Sequence, residues 1–184
     1  MLADPADQQR LLTLAELDSE IGRLQHTAKK LPQHARIAEL MRKRQAVTDD
    51  LVAVTTRVGD LELSVRRAES DLVPVRTRLD RENKRVEDGS VTDPRVLRGL
   101  TEEVERIKRR IIELEDAELD LMGQLEETTA ERDELATRKK EVEEMLRAEV
   151  AVRDAEVSKL STEAKAAAAS RASEAEKVPA PLLA

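Results

Sequence analysis

The chain has 184 residues, 40% of them hydrophobic and 39% charged, with a formal net charge of −7. Phe, Trp, Tyr and Cys are all absent, which excludes a core built on aromatic side chains, any disulfide, a thiolate nucleophile and a cysteine zinc site within these residues. No apolar run approaches a membrane span and no signal-peptide core is present, so a soluble chain that is not visibly secreted is expected.

The first predicted element covers residues 4–31. Asp4-Pro5 places a capping carboxylate before a proline, whose missing N–H costs nothing in a first helical turn. Leu14, Leu17, Ile21, Leu24, Ala28 and Leu31 then recur with the 3-4 spacing of a coiled-coil seam. Pro32 ends or kinks this helix, and the count slips by one residue across it.

The second element covers residues 33–86, and its seam runs unbroken. It takes Ile37, Leu40, Arg44, Val47, Leu51, Val54, Val58, Leu61, Val65, Ala68, Leu72, Val75, Leu79, Glu82 and Val86. Thirteen of those fifteen positions are apolar, with Arg44 and Glu82 as the exceptions. Pro74 lies inside the stripe and predicts a kink rather than an end, because the seam resumes at Val75. Asp88-Gly89 supplies a helix stop, since glycine accepts the left-handed conformation, and residues 87–93 form a tight turn.

Asp93-Pro94 starts the third element, residues 94–176. Its stripe reads Leu97, Leu100, Val104, Ile107, Ile111 and Leu114, then Leu121, Leu125, Leu135, Val142 and Leu146. Residues 4–86 and 94–176 match in length, so a fold-back at residue 90 makes position i face roughly 180 − i. The expected fold is all-α: a long, kinked, antiparallel coiled-coil hairpin in which the first two helices lie end to end along the third. The same rule sets Gly59 beside Leu121 and Gly123 beside Arg57, one flexible or closely packed level. The alanine-rich segment 161–173 lets helices approach closely, and Leu182 and Leu183 have no seam left to join.

Chemistry is sparse. His26 and His34 are the only histidines and flank Pro32 far from any glycine-rich loop. No phosphate loop, dinucleotide fingerprint or histidine-rich zinc motif occurs. An enzyme is therefore not expected, with no catalytic, cofactor-binding or metal-ligating residue among these positions.

Charge placement is more informative. Residues 66–110 hold 13 basic and 10 acidic residues, whereas residues 113–149 hold 5 and 14. Arg78, Arg81, Lys84, Arg85, Arg95 and Arg98 gather near the turn as a candidate partner-binding surface for an acidic protein or for phosphates. Without aromatic side chains, any nucleic-acid contact is backbone-directed and salt-sensitive. Glu87, Asp88 and Asp93 form a second, acidic candidate at the tip. Hairpin factors that enter the secondary channel of RNA polymerase look similar there, although Asp88 and Asp93 already have work at helix ends.

Several stretches resemble the bacterial proteins that join a long N-terminal coiled-coil hairpin to a four-cysteine zinc ribbon. They are residues 8–18 from Gln8 to Asp18, the Leu31-Pro32 break, Thr92-Asp93-Pro94 to Leu100, and Ile112 to Met122. The last is Val178-Pro179-Ala180-Pro181-Leu182-Leu183. The arginine- and alanine-rich composition looks actinobacterial. The resemblance implies residues 1–177 as hairpin and 178–184 as a linker towards a ribbon whose two Cys-x-x-Cys pairs this sequence lacks. Zinc is expected only if such a ribbon follows. The resemblance also implies a cytoplasmic adaptor or regulator, monomeric or dimeric. Its relatives are thought to bind an alternative sigma factor or secretion components, and some to bind nucleic acid. A structural, oligomerising coiled coil is the third reading.

Overall fold

A computed structural model describes residues 4–89 and 91–182. It contains three α-helices: α1 (Pro5–Lys29), α2 (Pro32–Glu87) and α3 (Pro94–Ala175), followed by a 3-10 turn at Ala180–Leu182. The all-α, coiled-coil hairpin fold expected from the heptads is the fold observed.

Helix ends follow local chemistry. Asp4 Oδ1 accepts from the Ala6 N–H at 2.8 Å, and Asp93 Oδ1 accepts from the Arg95 N–H at 2.8 Å, with a proline at N1 in each case. Pro32 opens α2 rather than closing α1, which stops earlier, at Lys29. The Lys30 N–H donates back to the His26 and Thr27 carbonyls, and the His34 imidazole Nε2 lies 3.1 Å from the Ala28 carbonyl. His34 is thus a local cap at the break, a role its surface position did not announce. At the tip the Asp88 N–H donates to the Lys84 carbonyl, and Gly89 adopts φ +61°. Glu87 belongs to α2, so the turn is residues 88–93, of which Ser90 lies outside the described residues.

The helix α2 continues through Pro74 without interruption. Proline has no N–H for the Ser70 carbonyl, but Pro74 is on the exposed side where water can replace that bond.

The chain forms two compact units, Met1–Gln45 with Lys140–Ala184, and Ala46–Lys139. In the second unit α2 and α3 run antiparallel. Ion pairs join Arg57 to Glu131, Arg76 to Glu115 and Arg78 to Glu103, in descending order along one helix as the other ascends. The tightest core lies near the tip, where Leu72 packs with Ile107 and Ile111, flanked by Val75, Leu79 and Leu114. All fifteen predicted α2 seam positions are buried or half-buried, including Arg44 and Glu82. On α3 the first predicted member, Leu97, is exposed, and packing begins at Leu100.

The seam of α3 also extends past Leu146, where sequence reading lost it. Glu149, Arg153, Glu156, Leu160, Ala164, Ala167, Arg171 and Glu174 keep roughly 3-4 steps and are all at least half-buried. Five of the eight are charged, so hydrophobicity could not mark them; long side chains cover the seam with their methylenes. Two steps of four follow one another at Glu156–Leu160–Ala164, a stutter that locally unwinds the supercoil.

In the first unit α1 also runs antiparallel to α3. Asp18 accepts from Nε and Nη2 of Arg171 on its two carboxylate oxygens, and Arg10 donates to the Lys177 carbonyl at 2.8 Å. Val178 is buried there, Leu182 is exposed, and Leu183 lies outside the described residues.

Gly59 and Gly123 do not share a level. Arg57 reaches Glu131, and Leu61 and Ser64 lie beside Gln124 and Thr128. Helical side chains lean towards the N-terminus, which moves the contacts at this level further along α3 than backbone symmetry suggests. A Cβ added at Gly59 or Gly123 would meet nothing within 4 Å, so neither glycine serves close packing.

Candidate interaction site at the hairpin tip

The tip is organised around a carboxylate in the seam. Glu82 follows Leu72, Val75 and Leu79 in the heptad, and is only 6% exposed. Burial opposes its ionisation, but Arg81 and Arg85 donate to its two oxygens at 3.2 and 2.8 Å. Together these guanidinium groups hold the carboxyl below the usual glutamate range. Across the pair, Glu103 receives Arg78 from α2 on one oxygen and Arg106 from α3 on the other. The Arg106 hydrogen bond is the main reason its carboxyl is also depressed, and nearby Glu82 opposes that shift.

The six cations predicted as one surface therefore divide. Arg78, Arg81 and Arg85 are engaged with Glu82 and Glu103. Lys84, Arg95 and Arg98 are exposed and make no ion pair among the described residues. The first three are held by carboxylates, and the second three are not. Of the acidic candidates, Asp93 caps α3, Asp88 begins the turn and Glu87 ends α2; all three are exposed and the structure does not gather them with a basic or apolar partner.

Sequence reading passed over Glu103 and Arg106, which sit amid ordinary solvated charge. Glu82 was visible as an interruption of the seam, and its neighbours at −1 and +3 are both arginine; that spacing is the signal that identifies a buried, forked carboxylate.

Among the described residues no group of three or more His, Asp or Glu side chains could hold a metal ion. With no cysteine in the sequence either, zinc finds no ligand set here. No helix is long and apolar enough to cross a membrane among the described residues.

Comparison with known proteins agrees with this architecture. The family model described as CT398-like coiled coil hairpin domain matches residues 14–184. An uncharacterised protein of Mycobacterium tuberculosis is 36% identical over 132 residues, 72% of this chain and 54% of the relative. One of Mycobacterium leprae is 32% identical over 109 residues, 59% of this chain and 47% of the relative. The chain thus spans about half the length of the curated relatives it matches. Among solved structures, one from Mycobacterium smegmatis has a TM-score of 0.83 at 31% identity, covering 100% of this chain and 75% of that one. The HP0958 protein of Helicobacter pylori shares the fold at a TM-score of 0.62 and 16% identity, over 97% of this chain and 73% of that one.

Proposed function

This chain belongs to the CT398-like coiled coil hairpin family, and on that premise we propose that it is a non-enzymatic adaptor whose hairpin tip binds a protein partner with an acidic surface. One observation carries the reading: Lys84, Arg95 and Arg98 stand exposed without an ion pair among the described residues, beside an arginine–carboxylate network that fixes the helices beneath them. Cations held on ordered backbone lose less freedom on binding than cations on a loop, and complementary charge speeds encounter and sets orientation. The partner classes brought by the resemblance, a sigma factor or a secretion component, would meet the chain at this end.

The test is affinity capture from native lysate with wild type and with Lys84→Glu, Arg95→Glu and Arg98→Glu combined. Loss of a captured protein at unchanged helicity supports the reading; equal capture by both overturns it. A parallel gel shift across a salt series addresses phosphates directly. A shifted band that fades with salt and with the triple reversal would transfer the tip to nucleic acid.

A further inference from the structure

A groove of about 570 Å³ runs between α1 and α3 in the first unit, remote in sequence from the tip residues. Its floor is the seam itself: Leu24 and Ala28 on one side, Leu160 and Ala164 on the other. The cause is local. The stutter at Glu156–Leu160–Ala164 breaks the regular knob spacing, and Ala164 and Ala168 leave unfilled the volume that leucine takes elsewhere. The groove is open to solvent along its length. Lys29 and Lys165 line it, one from each helix, both exposed and neither ion-paired among the described residues.

We propose that this groove takes an amphipathic helix of a partner protein, apolar along one face and acidic along its edges. Three features select that occupant. The trough follows the helix axes from Ile21 to Lys29, about 12 Å, which matches two turns of a third helix and its anchors at i, i+4 and i+7. Its open side demands an occupant that is polar outward, which an acyl chain is not. The paired lysines ask for carboxylates on both flanks. The inference shares with the preceding section the idea of a protein-binding adaptor, but uses none of the tip residues.

The probe is a fluorescein-labelled 18-residue peptide with leucine at heptad positions a and d and glutamate at e and g, beside a twin with lysine at e and g. Anisotropy titration with the full chain should show the glutamate peptide binding at least tenfold more tightly. Filling the groove with Ala164→Leu and Ala168→Leu should abolish binding, and Lys29→Glu with Lys165→Glu should invert the preference while leaving the packing alone. The triple tip reversal should bind the peptide as wild type does, which separates failure at the tip from failure here. Equal affinity for the twin, binding that survives groove filling, or displacement by dodecanoate would overturn the proposal. So would wild-type self-association that groove filling removes, since the occupant would then be a second copy.

Discussion

At Glu82 a carboxylate occupies a place where leucine would complete the seam, and the two arginines that fork it decide its charge. A buried glutamate alone would resist ionisation; Arg81 and Arg85 outweigh that, so the folded value lies below the unfolded one. The stabilisation from such a group is complete above the unfolded value, about pH 4.3 for glutamate, and is lost as pH falls through the lower folded value. Glu39, Glu103 and Asp18 are depressed in the same direction, chiefly by hydrogen bonds from Lys43, Arg106 and Arg171 respectively. We predict that Glu82→Gln lowers Tm at neutral pH, and that its gap from wild type narrows as pH falls from about 4.5 to 2. Melts followed by circular dichroism across that range check this; a constant gap would mean that Glu82 carries no titrating contribution. Heptad counting alone exposed Glu82 as irregular, whereas the role of Glu103 required knowing which helix faces which.

Among the elements, α2 carries the local conflicts. Gly59 weakens its interior without a packing reason, so Gly59→Ala should stabilise the chain by about 1 kcal/mol. Gly89 has the opposite sign. Its φ of +61° is one that alanine adopts only at a cost, so Gly89→Ala should destabilise by about 1–2 kcal/mol although there is open space around it. Chemical denaturation of both variants gives the two signs directly; the same sign for both would contradict this account. Pro74→Ala restores an N–H for the Ser70 carbonyl and should raise stability by up to about 3 kcal/mol. Helix ends were legible because caps, prolines and Gly89 act through neighbouring residues. The level at which Arg57 meets α3 was not, because side-chain lean displaces that contact from backbone symmetry.

For the molecule as a whole, the seam decides where the chain is held most firmly. Leu72, Ile107 and Ile111 interlock near the tip, while the alanines of 161–173 give α1 little to grip. Hydrogen exchange read by mass spectrometry should therefore be slower across residues 100–114 than across 161–173 by about tenfold or more, equal to roughly 1.4 kcal/mol of local opening energy. Equal rates would show that apolar packing does not set the order of opening. The three-helix hairpin was readable from sequence because Val, Leu and Ile recur at a period only a helix can use. Where Arg153, Glu156 and Arg171 take over the same period, the pattern persists in space but vanishes from a hydrophobicity count. The division of the tip cations was hidden for a related reason: a sequence shows how many charges lie near a turn, not which ones already face a carboxylate.

Heptad-patterned helices have a weakness that the ion pair between Arg78 and Glu103 reduces. Sliding one such helix past another by seven residues matches apolar to apolar again, so an unmarked seam has several near-equivalent alignments. Here a seven-residue slip parts Arg78 on α2 from Glu103 on α3. That cross-helix pair works as a detent, making one alignment distinguishable from its neighbours. Lys84 on one arm of the hairpin and Arg95 and Arg98 on the other therefore keep a constant separation, and a partner of the proposed kind would meet a ruler rather than a sliding scale.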